Sequence, residues 1–97
     1  KAAPLVAQLD LVSQTPAQLE LNLRGLRLEE ALEVLQKQID AAPLSGLYEF
    51  SVIHGKGGGL LQKGVHGYLK NQSQVERFSF SPPEQGGFGK TLVSLKR

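Results

Sequence analysis

His54 and Lys56 sit in the run Phe50-Ser-Val-Ile-His-Gly-Lys-Gly-Gly-Gly-Leu60, which gathers an imidazole, an ammonium and unhindered backbone N–H groups at one break in the chain. That set suits binding, and possible cleavage, of a phosphodiester. Gly55 and Gly57 let a phosphate approach the backbone, and the start of a following helix adds partial positive charge. Histidine titrates near neutrality, so His54 is the candidate proton donor or acceptor. Lys56 and, upstream, Arg24 can hold phosphate oxygens, arginine bidentately. The same residues also fit a tight turn with a hydrogen-bonded structural histidine, and spacing alone does not choose. His66, farther along, reads as a surface residue of a helix.

These residues need elements to position them. Residues 1–18 are irregular, with Pro4 and Pro16, and read as a linker or arm lying against a domain of residues 19–97. From Leu19, strict alternation sets Leu19, Leu21 and Leu23 against Glu20, Asn22 and Arg24, the period of a half-buried strand ending at Gly25. Leu28, Ala31, Leu32, Leu35 and Ile39 recur at helical spacing, with Glu29 and Glu30 in the first turn, where the helix dipole favours anions. The helix should end near Ala42, before Pro43. Tyr48, Phe50, Val52 and His54 alternate with Glu49, Ser51 and Ile53 as a second strand, and Leu61, Val65, Tyr68 and Leu69 form the stripe of a second helix. Gly64 and Gly67 inside it point to close packing on the sheet. A third strand spans about Val75 to Phe80, and a fourth Thr91 to Leu95.

The order β-α-β-α-β-β predicts an α/β fold: a two-layer sandwich with a mixed, mostly parallel four-stranded sheet and both helices on one face. The short strand-helix-strand connection favours parallel pairing of the first two strands, with the third in the same direction. Alternating strands leave the other sheet face open. Ligands collect at the carboxyl ends of parallel strands, which brings Asn22 and Arg24 beside His54 to Gly57.

Composition bounds the class. The 97 residues support one domain and include no methionine, even at position 1, so the chain reads as a segment of a longer protein. Without cysteine there is no disulfide framework or thiolate metal site, and a reducing, cytoplasmic setting is expected. The net charge is +2, but no acid falls between Glu49 and Glu76, where Lys56, Lys63, Lys70 and both histidines lie. That basic stretch points to nucleic acid or to an ordinary solvated helix face. Gly89-Lys90-Thr91 resembles the end of a phosphate-binding P-loop, but Glu84 stands where its first glycine belongs and a strand follows. No cluster of histidine and carboxylates has metal-ligand spacing, so no built-in metal is expected.

Taken together, Leu21-Asn-Leu-Arg-Gly25, Glu29-Glu-Ala31, His54-Gly-Lys-Gly57 and Gly86-Gly87 with Gly89 before Thr91 resemble the Smr (small MutS-related) domain. The likeness runs from about Leu19 to Lys96, and Arg24 is similar to the version at the C-terminus of the type-two class of bacterial MutS homologues. The resemblance implies an endonuclease that nicks DNA, double-stranded or branched, with little sequence preference, or acts on RNA and ribosomes. It implies roles in suppression of homologous recombination, DNA repair or ribosome rescue. It further implies a homodimeric parent whose other domains bind ATP, and possible use of Mg²⁺ or Mn²⁺. The implied catalytic set is His54, Lys56, Arg24 and Asn22, and the nucleic-acid-binding set is Arg24, Gly55, Lys56, Gly57, Lys63, Arg77 and Lys90. The family's usual aspartate is Asn22 here, and an amide can neither act as general base nor recruit a metal as a carboxylate can. Glu20 is on the same strand face, roughly 6–7 Å away by strand rise. A non-catalytic DNA-, RNA- or ribosome-binding module is therefore the alternative.

Overall fold

The structure, a computed structural model, describes residues 17–57 and 59–97. The arm expected over 1–18 lies outside the described residues except for Ala17 and Gln18. Gln18 exchanges a reciprocal pair of hydrogen bonds with the buried Gln38, its N–H donating to Oε1 at 3.0 Å and its carbonyl accepting from Nε2 at 2.7 Å.

Strand β1 covers Glu20–Asn22, helix α1 Leu28–Leu44, strand β2 Glu49–Ile53, helix α2 Leu60–Lys70, strand β3 Val75–Phe80 and strand β4 Lys90–Leu95. The sheet order is β1-β2-β4-β3, with β1 and β2 parallel and β4 antiparallel to both neighbours. Three strands therefore point one way, as expected. Only one of the three ladders is parallel, however, because β4 inserts between β2 and β3.

Period-two patterning decides the two faces. Leu21, Leu23, Phe50, Val52, Val93 and Leu95 are buried in one core with Ala31, Leu35, Ile39 and Ala42 of α1 and Val65 and Leu69 of α2. The opposite face carries Glu20, Asn22, Glu49, Leu92 and Ser94. Leu19, expected on the buried face, precedes the strand and is exposed. Glu30 accepts from the Arg27 N–H at 3.2 Å and so caps the start of α1. At the other end α1 runs one residue past Pro43 rather than stopping before it. Pro43 has no N–H to give the carbonyl four residues back, and the helix ends one residue later.

Gly64 is explained by the other helix rather than by the sheet. A Cβ there would come within 2.3 Å of a Leu28 methyl, so Leu28 of α1 packs directly on the α2 backbone. Nothing lies within 4 Å of a Cβ at Gly67, and packing does not account for it. No helix among the described residues is long and apolar enough to cross a membrane.

Candidate functional site

Three segments meet beyond the end of β2: Arg24 and Gly25 after β1, the turn from His54 to Gly57, and the stretch from Gln85 to Lys90. They line a cleft of about 670 Å³. Arg24, Lys56 and Lys90 are its charged residues, and no acid is among the described lining residues. A smaller hollow of about 260 Å³ lies across the same turn, between Leu26 to Leu28 and the first turn of α2.

Glycine is needed at Gly55, whose φ is +76°. The N–H groups of His54 and Gly55 both donate to the Gly89 carbonyl, at 3.1 and 3.0 Å, which ties the two loops together. A Cβ at Gly55 would lie 3.3 Å from Cγ of Arg24, and one at Gly89 would lie 3.5 Å from Cγ of Lys56. The two cationic stems thus lie on a stack of glycine backbone. Gly55 has its N–H committed to Gly89, whereas those of Lys56 and Gly57 bond to nothing among the described residues and can meet an anion.

Asn22 works through Arg24. Its Oδ1 accepts from the Arg24 backbone N–H at 3.0 Å and from Nε at 3.3 Å, which turns the chain and aims the guanidinium. Both bonds need only an acceptor oxygen, which an amide supplies as well as a carboxylate. Glu20 is ion-paired with Lys90. Among the described residues no group of three or more histidines and carboxylates could hold a metal ion. With the Asn22 oxygen spent on Arg24 and Glu20 on Lys90, this donor set does not fit a protein-held Mg²⁺ or Mn²⁺.

His54 faces the helix layer rather than the open face, because it continues the buried alternation of Phe50 and Val52. It is 5 % exposed. Its Nδ1 lies 3.0 Å from the Gly55 carbonyl and its Nε2 2.7 Å from Oγ1 of the buried Thr91. The same hydroxyl lies 2.7 Å from Nε2 of His66, half-buried on α2. Phe78 and Phe80 enclose the His66 ring, with centroids at 4.9 and 4.7 Å. Burial, and then the neighbouring His54, lower the His66 pKa from its ordinary value.

The family model of the Smr domain matches residues 21–96 of this chain. The chain belongs to the Smr domain family. Endonuclease MutS2 of Lactobacillus acidophilus is 41 % identical over 96 residues, covering 99 % of this chain and 12 % of that protein. Endonuclease MutS2 of a Geobacillus species is 50 % identical over 78 residues, covering 80 % of this chain and 10 % of that protein. The chain thus spans about a tenth of the length of these relatives. The Smr domain of Thermus thermophilus MutS2 superposes with a TM-score of 0.79 at 37 % identity, covering 80 % of this chain and 98 % of that one. YdaL, a stand-alone small MutS-related protein from Escherichia coli, gives 0.76 at 28 % identity, covering 92 % and 74 %.

Within this Smr domain the cleft unites most of the residues expected from sequence. Arg24, Gly55, Lys56, Gly57, Lys90 and His54 all line it, and Asn22 supports it from behind Arg24. Lys63 and Arg77 do not. Lys63 is on the exposed side of α2, and Arg77 is on the open sheet face beside Glu76, at 3.6 Å. Thr91 and His66 were missed as partners of His54. The signal was present in part: Thr91 shares the period of Val93 and Leu95, and His66 lies between Val65 and Leu69 on the buried stripe of α2.

Proposed function

We propose that this Smr domain is a nucleic-acid endonuclease of little sequence specificity, in which Arg24 and Lys56 take the scissile phosphate and His54 handles the proton. The N–H groups of Lys56 and Gly57 add donors to the phosphate, and Asn22 holds Arg24 in place. The observation that carries this reading is the cleft itself, free of acid among its described residues, with two cations stacked on a glycine turn that ends in a buried histidine. Relatives that bear the name endonuclease support it, as does their MutS2 parentage. Double-stranded or branched DNA is the proposed substrate, with RNA or the ribosome as the other target. Recombination suppression, repair or ribosome rescue would belong to a larger, dimeric, ATP-binding parent.

A second reading, a non-catalytic nucleic-acid-binding module, is favoured by one specific observation. Both nitrogens of His54 are bonded within the protein, and no carboxylate replaces Asn22 in the described cleft. Incubation with supercoiled plasmid, with and without Mg²⁺ or Mn²⁺, separates the two. Nicking by the wild type is expected, with loss of two orders of magnitude or more in His54→Ala, on the scale of general acid–base catalysis (about 10²–10⁴-fold), and a marked loss in Lys56→Ala. Cleavage that appears only in Asn22→Asp would assign this chain to the binding module.

A further inference from the structure

His66 is unused by the proposed function, yet it shares one hydroxyl with the histidine at the cleft. Thr91 Oγ1 lies 2.7 Å from Nε2 of each imidazole. The directions of these bonds follow from donor and acceptor chemistry. The Gly55 carbonyl can only accept, so Nδ1 of neutral His54 carries the hydrogen and its Nε2 must accept. Thr91 therefore donates its single proton to His54. Its oxygen then accepts from His66, whose Nε2 must carry a hydrogen. His66 Nδ1 has no partner among the described residues, and no buried side-chain polar atom among them lacks a partner, so this nitrogen meets solvent.

We propose that His66 is a positioning residue which, through Thr91, completes the hydrogen bonding at Nε2 of His54 and carries protons between solvent and that buried ring. A proton taken from water at His66 Nδ1 lets the Nε2 proton pass to Thr91 Oγ1, while the hydroxyl proton of Thr91 passes to His54 Nε2. One N–H forms on each ring, one breaks at His66 Nε2, and Thr91 keeps one O–H. The positive charge moves from His66 to His54 beside the cleft. In the charged state the bonds reverse, with His54 donating to Thr91 and Thr91 to the emptied Nε2 of His66. The neighbours do not compete. Phe78 and Phe80 of β3 pack on His66, Lys63 and Lys70 stand one turn away on its own helix, and Arg24 and Lys56 flank Gly55. No carboxylate bonds either ring among the described residues.

The catalytic consequence rests on the endonuclease reading, but the proton path can be tested without turnover. Long-range ¹H–¹⁵N correlation spectra of the 97-residue chain should show His54 as the Nδ1–H tautomer and His66 as the Nε2–H tautomer near pH 8. His66→Phe keeps the aromatic packing and removes the nitrogen that receives the hydroxyl in the charged state. Exchange of the His54 ring protons with water should then slow severalfold, because the path through Thr91 has lost its solvent end. Thr91→Val should act likewise, and Thr91→Ser should restore the wild-type exchange rate. An Nε2–H tautomer at His54, or an exchange rate unmoved in both His66→Phe and Thr91→Val, overturns the proposal. If the domain cleaves, His66→Phe should lower kcat about tenfold, mainly at acid pH, with KM little changed, a modest share of the range for general acid–base catalysis. If it cleaves nothing, the endonuclease reading fails and the spectra still decide the path.

Discussion

Two halves of the site, divided by the backbone of Gly55, are built in opposite ways. Arg24 and Lys56 are exposed, and each is steadied mainly at its stem, by Asn22 and by glycine backbone. His54 and Thr91 are buried, and each of their side-chain polar atoms is bonded. The cationic half keeps its charged ends free to adjust while its stems stay in place. The imidazole half is oriented before any ligand arrives, at the cost of leaving a donor or acceptor stranded if one member is lost. Substitutions in the two halves should therefore break different properties.

The largest effect is expected in the bonded half. Thr91→Val preserves shape but strands two imidazole nitrogens, and should lower unfolding stability by about 2 kcal/mol or more in a urea titration. Thr91→Ser should keep most of that stability. Equal losses in both would show that the threonine methyl, and not its hydroxyl, matters. A smaller loss, about 1–2 kcal/mol, is expected for Gly55→Ala, which forces a side chain into the left-handed region and against Arg24. It should weaken DNA binding as well, since the dividing backbone belongs to both halves, and an effect on stability alone would move Arg24 away from that turn. The smallest stability change belongs to Arg24→Ala, within about 0.5 kcal/mol. Its signature is a fall of about one in the log–log salt dependence of DNA affinity. A stability loss as large as that of Thr91→Val would erase the distinction between the halves.

The fold was largely legible because each strand alternates. Leu21 and Leu23 with Phe50 and Val52 mark one buried face, and the spacing from Ala31 to Ile39 marks the helix that covers it. Strand neighbours were less legible, because alternation gives a face and not a partner. β4 could have paired at the sheet edge, yet it lies at the centre. Pro43 and Gly64 misled for different reasons: the helix tolerates the one bond that Pro43 forfeits a residue before its end, and the atom that requires Gly64 comes from Leu28, distant in sequence. The cationic half of the site was readable from the adjacency of strand ends. The other half was not, because linking His54 to His66 requires Thr91, and that residue reaches them only through the insertion of β4.

That insertion also sets an order of assembly. β4 follows all the other described elements in the chain, yet it supplies the middle of the sheet and, with Gly89, Lys90 and Thr91, contacts to both halves of the cleft. Until those residues are in place, β2 has only β1 beside it and β3 has no partner strand. A chain without β4 and Gly89 holds His54 and Lys56 in sequence but lacks the Gly89 carbonyl and Thr91 hydroxyl that fix the turn in space. Competence for the proposed function therefore depends on β4 taking its place between β2 and β3.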